Sequence, residues 1–259
     1  MLHEKINLRD DNNIYLNTYI IDDPLEQNRK RPIVVICPGG GYEYCSAREA
    51  EPIALAFNAA GFHAVVVYYS LKQLFPASLK DLSDAVCIVR DNAEKWCVDT
   101  DKVIVCGFSA GGHLAASLGV LWNSEPAIIR DDNKNRPNGM ILAYPVISAG
   151  KYRHAGSISN ITNNDEILME KVSLEKHITA DCPPVFIWHT FTDDAVPVQN
   201  SIDFAAALAQ QNISTELHIF PKGPHGLSLA NQWVAADENG IVPEVQQWIS
   251  MSIRWINNL

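Results

Sequence analysis

Residues 103–117, VIVCGFSAGGHLAAS, constrain the fold more than any other stretch of the chain. Val103, Ile104, Val105 and Cys106 form a short apolar, mostly β-branched run that reads as a buried strand. It leads directly into Gly107-Phe108-Ser109-Ala110-Gly111, and Gly112-His113-Leu114-Ala115-Ala116 then opens a helix. A strand that passes into a helix through G-x-S-x-G must turn sharply, and the turn lifts the serine hydroxyl off the sheet edge. The flanking glycines leave room for backbone that a Cβ would block. The first N–H groups of the helix point toward the same place, where negative charge on an oxygen would be stabilised. A glycine-rich turn with an ordinary serine would look similar, so the remainder of the chain must decide between them.

The 259 residues are enough for one large α/β domain over residues 1–259. The formal net charge of −10 argues against nucleic acid and anionic membrane surfaces as partners. No stretch approaches the ~18 apolar residues of a membrane span. The opening MLHEKINLRDDNN lacks the apolar core of a signal peptide. The six cysteines are scattered without a CxxC pair, and Cys37, Cys87 and Cys106 sit inside apolar runs as small core residues. Free thiols without an export signal point to the cytoplasm.

Along the chain, residues 4–9 and 14–21 read as two opening strands joined by a turn at Asp10–Asn13. Ile33-Val34-Val35-Ile36 is a buried strand, followed at once by Pro38-Gly39-Gly40-Gly41-Tyr42. A helix is expected over 47–60, a strand over 64–69 and a helix over 78–96. After the Ser109 turn and its helix come a polar loop over 123–138 and a strand over 140–143. Residues 150–180 are polar and Asn-rich, with one helical piece near 165–171, and read as an insertion forming a small cap over the site. A strand at 185–189, a helix over 198–211, a strand over 215–220 and a final helix near 243–257 complete the alternation. That alternation predicts a mainly parallel sheet with helices on both faces. In such sheets, sites form beyond the carboxyl ends of the strands.

A serine hydroxyl is a weak nucleophile that needs a base, and the base needs an orienting acid. Ser109 is followed by a strand ending at His189 and a loop with Asp193 and Asp194. A further strand then leads to Pro221-Lys222-Gly223-Pro224-His225-Gly226. Nucleophile, acid, histidine is the chain order the strand–G-x-S-x-G–helix arrangement requires. His225, on a loop after a late strand, is the candidate base, while His189 is expected to order the acid loop. His113 is assigned to packing, and His63, His154, His177 and His218 to structural or exposed roles. No H-x-x-x-H or H-E-x-x-H pattern occurs, so no metal is expected. A tetrahedral intermediate needs preorganised N–H donors. The glycines directly after the buried strand at 33–36 supply Gly40 and Gly41, and the residue after the nucleophile supplies Ala110.

With these motifs the chain resembles the α/β-hydrolase superfamily over nearly its whole length. More narrowly, it resembles small bacterial esterases grouped with acetyl-xylan esterases and related sugar-ester hydrolases. The narrower likeness rests on Cys37–Tyr42, Ser46–Pro52, Gly107–Ala115, Pro183–Thr190 and Phe220–Gly226. His189–Pro197 resembles the H-G-x-x-D-x-x-V-P pattern of many α/β-hydrolases, with Thr190 replacing the glycine. That match places the acid at Asp193 rather than Asp194. The resemblance implies an α/β-hydrolase fold and two-step acyl transfer by Ser109, His225 and Asp193, with oxyanion donors at Gly40, Gly41 and Ala110. It implies no cofactor and a small ester substrate, such as an acetylated oligosaccharide. Tyr42, Arg48 and the 150–180 insertion are the candidate substrate contacts. A general short-chain carboxylesterase, a prolyl-oligopeptidase-like peptidase and a non-catalytic scaffold are the alternatives, and the oligomeric state is left open.

Overall fold

The central strands are continuous apolar runs because both faces of their sheet are covered. In the computed structural model, which describes residues 1–10, 13–23, 25 and 27–259, eight strands form one sheet. They are β1 (Lys5–Asn7), β2 (Tyr15–Tyr19), β3 (Arg31–Cys37), β4 (His63–Tyr68), β5 (Val98–Phe108), β6 (Gly139–Ala143), β7 (Val185–Thr190) and β8 (Thr215–Phe220). Their spatial order is β1-β2-β4-β3-β5-β6-β7-β8. The pairs β1/β2 and β2/β4 are antiparallel and the rest are parallel.

Successive residues of β3 and β5 go to opposite layers, as the pleat requires. Ile33, Val35, Val103 and Val105 pack on one face with α2 (Ala77–Asp91), α3 (Ala110–Leu121) and α6 (Gln199–Gln210). Val34, Ile36, Ile104 and Cys106 pack on the other with α1 (Glu51–Ala59) and α8 (Trp248–Asn257). All eight strand side chains are fully buried, and each such Val or Ile contributes about 1.5–3 kcal/mol relative to exposure. Four loops leave the carboxyl ends of β3, β5, β7 and β8 on one edge of the sheet, which brings Gly39–Gly41, Ser109, Asp193 and His225 together.

The expected elements and the observed ones differ in informative places. The helix expected over 47–60 is a 3₁₀ turn (Ala47–Glu49) followed by α1, broken at Ala50. Pro52 in the first turn of α1 starts a new helix, and Glu49 is turned inward. The final helix is likewise split, into α7 (Pro243–Gln246) and α8. Of the expected Asp10–Asn13 turn, Asp11 and Asn12 lie outside the described residues.

The 150–180 insertion contains α4 (Ala155–Thr162) as well as the expected α5 (Glu166–Lys171). Helix α5 carries an ordinary signal, Asp165 Oδ1 accepting the Leu168 N–H at 2.9 Å. Helix α4 is capped by His154, whose Nδ1 accepts the Ser157 N–H at 3.2 Å, a cap that residue preferences do not flag. Ile158, Ile161, Val172 and Leu174 of this segment are buried in the core, so it is packed into the body of the fold. Among the described residues no helix is long and apolar enough to cross a membrane. All six cysteines are free, with Cys37, Cys87 and Cys106 buried.

Trp248 braces the layer behind Ser109. It stacks on Trp188 at 5.4 Å, meets Phe108 edge-on at 5.8 Å, and donates its indole N–H to the Ser228 carbonyl at 2.9 Å. Trp248→Ala is expected to cost about 3–5 kcal/mol, measured as a lower urea midpoint at unchanged slope. An unchanged midpoint would contradict this packing.

Candidate active site

Ser109 joins β5 to α3 with φ 53° and ψ −117°, a conformation that costs a non-glycine residue about 1–3 kcal/mol. Neighbouring backbone holds it there. The Ser109 N–H donates to the Ala143 carbonyl at 3.0 Å, and the Ser109 carbonyl accepts from His113 and Val146, both at 3.1 Å. Gly111 makes the close approach possible, because a Cβ there would lie 2.1 Å from the Cys37 carbonyl oxygen.

The serine side chain ends in a hydrogen-bonded chain. Ser109 Oγ lies 2.8 Å from His225 Nε2, and His225 Nδ1 lies 2.8 Å from Asp193 Oδ2. A carboxylate only accepts, so Nδ1 carries the ring proton and Nε2 is left to accept from the serine hydroxyl. Asp193 Oδ1 accepts the N–H groups of Ala195 (3.0 Å) and Val196 (2.8 Å). Its Oδ2 also lies 3.2 Å from His189 Nε2. His189 donates that N–H to the Val196 carbonyl too, while its Nδ1 accepts from the Ser201 hydroxyl at 2.8 Å. The Asp193 carboxylate is 1% exposed. Burial alone would raise its pKa, but the hydrogen bonds from His189 and His225 outweigh burial and hold it well below the ordinary range. Asp194 has a different task, accepting the backbone N–H of His225 at 3.1 Å.

The Pro38–Gly41 loop lies beside Ser109. Gly40 has φ +123°, and a Cβ on it would sit 2.1 Å from the Tyr44 carbonyl oxygen. The loop is anchored through other groups. Tyr69 Oη donates to the Pro38 carbonyl at 2.6 Å, Asn160 Nδ2 to the Gly41 carbonyl at 2.9 Å, and the Gly39 N–H to Glu49 Oε2 at 2.8 Å. Gly40 and Gly41 line a cavity of about 270 Å³ together with Ser109 and His225. Ala110 is the first residue of α3, immediately after the serine. A larger depression of about 470 Å³ at the opposite ends of the strands contains none of these groups.

Arg48 lines the cavity, with its guanidinium 3.4 Å from the Val234 carbonyl. Tyr42, expected as a substrate contact, is corrected by the structure: it is 1% exposed and turned into the core. Its hydroxyl donates to His113 Nδ1 at 2.8 Å. The His113 Nε2–H goes to the Val172 carbonyl of the insertion at 2.9 Å. Burial lowers the His113 pKa to about 4, so the imidazole stays neutral and bridges α3, the glycine loop and the insertion.

Glu49 and His154 are among the cavity residues that the sequence does not single out as site residues. Glu49 is 3% exposed and lines the site. By sequence it falls in the first turn of the helix expected over 47–60. His154 also lines the site. Its Nδ1 accepts the Ser157 N–H, so the neutral ring keeps its proton on Nε2. Burial and the neighbouring His225 lower its pKa, favouring that neutral form.

The BD-FAE family model matches residues 20–208. An endo-1,4-beta-xylanase B of Butyrivibrio fibrisolvens is 39% identical over 78% of this chain and 33% of its own length. An acetylxylan esterase of Xylanibacter ruminicola is 28% identical over 94% of this chain and 49% of its own length. The chain thus spans between a third and about half of these curated relatives. The crystal structure of an acetyl ester-xyloside bifunctional hydrolase from Caldicellulosiruptor lactoaceticus superposes with a TM-score of 0.85 at 32% identity, covering 98% of this chain and 96% of that one. Sheet order, Ser109 turn and family match agree: the chain is an α/β hydrolase that belongs to the BD-FAE family.

Proposed function

We propose that this protein is a serine esterase that removes short acyl groups, acetyl above all, from xylo-oligosaccharides or related sugars. The observation that carries the proposal is the hydrogen-bonded chain from Ser109 Oγ through the His225 imidazole to Asp193. Ser109 Oγ attacks the ester carbonyl carbon while its proton passes to His225 Nε2. The resulting imidazolium is stabilised by Asp193, whose low pKa keeps it ionised throughout. The N–H groups of Gly40, Gly41 and Ala110 are the donors assigned to the tetrahedral oxyanion, each worth about 2.7–4 kcal/mol of barrier. Collapse breaks the carbon–oxygen bond to the alcohol, which leaves with the proton from His225. Water then attacks the acyl-serine, giving a proton to His225. The second collapse returns that proton to Ser109 Oγ and frees the acid.

The sugar-acetate reading is supported by the cavity and by the relatives. About 270 Å³ is below the ~300–1,000 Å³ of pockets for drug-sized ligands, which suits a short acyl group. Its rim carries Glu43, Tyr44, Arg48 and His154, polar groups that suit a hydroxylated alcohol better than a long hydrocarbon. The relatives' names, a xylanase, an acetylxylan esterase and an acetyl ester-xyloside hydrolase, point the same way.

Wild type and Ser109→Ala are to be compared on p-nitrophenyl acetate, butyrate and octanoate and on acetylated xylo-oligosaccharides. The expected pattern is turnover of the acetates and sugar esters, little of the octanoate, and a roughly 10⁶-fold lower kcat in the variant. Better turnover of octanoate than of sugar acetates would move the substrate to simple carboxylic esters. Equal rates in the two proteins would remove Ser109 from the mechanism.

Asp193→Asn tests the base. The Ala195 and Val196 N–H groups would hold the amide oxygen of Asn at the Oδ1 position, turning its NH₂ toward His225 Nδ1. That forces the ring proton to Nε2, where the serine proton must go, and kcat should fall by about 10⁴-fold in a folded protein. Wild-type kcat in this variant would contradict the assignment.

A further inference from the structure

Glu49 is a buried carboxylate that neither binds the acid loop nor touches His225 through a hydrogen bond, yet it faces the same cavity. Two donors from distant parts of the chain converge on it. Its Oε2 accepts the Gly39 N–H at 2.8 Å, and its Oε1 accepts the Tyr144 hydroxyl at 2.6 Å. Gly39 immediately precedes the glycines beside Ser109, so close that a Cβ on it would lie 3.0 Å from Ser109 Cβ. Tyr144 follows β6, and its ring centroid lies 5.0 Å from that of His225 at 72°, an edge contact. The Tyr144 hydroxyl oxygen accepts the Ser228 N–H at 2.9 Å, from the loop just after His225. Tyr144 is itself held at φ 37°, with its N–H on the Trp188 carbonyl at 2.7 Å. Burial, and then the Glu49 charge, keep the Tyr144 hydroxyl protonated and therefore a donor.

We infer that Glu49 is a positioning residue that locks the Gly39–Gly41 loop and the Tyr144 platform under His225 to one another. The inference rests on the Ser109–His225–Asp193 reading. A site facing two fixed donors needs two acceptor oxygens, which only a carboxylate supplies. Glutamine has nearly the same shape but offers one acceptor and one NH₂, so either the Gly39 N–H or the Tyr144 O–H loses its partner. In the first case the oxyanion loop shifts, and in the second the surface under the imidazole does. Both distort groups that act in the transition state, whereas substrate binding is left largely as it was. The signature is therefore a loss in kcat at nearly constant KM.

The experiment measures kcat, KM and urea midpoint on p-nitrophenyl acetate for wild type, Glu49→Gln, Tyr144→Phe, the double variant and Ser109→Ala. A displacement of about 1 Å can cost roughly 10²-fold, and Glu49→Gln is expected to lose about that in kcat with KM within about twofold. Its cost should shrink in the Tyr144→Phe background, where only one donor remains to be satisfied. Wild-type kcat in Glu49→Gln beside an inert Ser109→Ala overturns the inference and leaves the serine mechanism standing. An active Ser109→Ala overturns the mechanism on which it rests. A rise in KM with unchanged kcat, or an equal cost in both backgrounds, also overturns it. Should Glu49→Gln fail to fold, Tyr144→Phe decides: a roughly tenfold lower kcat at constant KM supports the inference, and wild-type kinetics refute it.

Discussion

The close approach of α3 to the end of β3 is the constraint on which the rest of the site depends. Gly111 packs against the Cys37 and Pro38 carbonyls, where a Cβ would lie 2.1 and 2.4 Å from oxygen. Only with that contact can Ser109 and the Gly39–Gly41 loop share one edge of the sheet. The strained Ser109 backbone is then secured from the side by Ala143 and Val146, which flank the end of β6. A sheet buried on both faces makes this possible, because rigid neighbours hold a conformation that an isolated turn would relax. The aromatic layer of Phe108, Tyr144, Trp188 and Trp248 lies directly behind.

Proton placement in the site follows from obligatory donors and acceptors. Carbonyl oxygens fix the Nε2–H of His189 and of His113, a carboxylate fixes the Nδ1–H of His225, and a backbone amide fixes the Nε2–H of neutral His154. Of the four, His225 is the one whose unprotonated ring nitrogen faces the Ser109 hydroxyl. The other three hold loops: His189 the acid loop, His113 the junction of α3 with Tyr42 and Val172, and His154 the start of α4.

What the sequence made legible was whatever depends on local pattern. The continuous runs at 33–36, 64–69 and 103–106 became central strands because two-sided burial demands apolar residues at consecutive positions. Ser109, Asp193 and His225 each lie just beyond a strand end, where a parallel sheet gathers its loops, and the structure links them. Long-range pairing was not legible. Glu49 is buried because Tyr144, 95 residues away, donates to it. Tyr42, a candidate substrate contact by sequence, is buried instead. Its hydroxyl partner, His113, lies 71 residues further on and draws the ring inward. Helix α4 carries no local signal, because its cap is a histidine and its core contacts are tertiary.

The central claim is that the Ser109 hydroxyl is the activated nucleophile. Its most direct test is covalent capture: incubating the folded protein with a fluorophosphonate and mapping the adduct by peptide mass spectrometry. One phosphonyl group per chain on Ser109, formed in wild type and greatly slowed in His225→Ala, is the predicted result. An unlabelled Ser109, an adduct on another residue, or labelling that ignores the loss of His225 would contradict it.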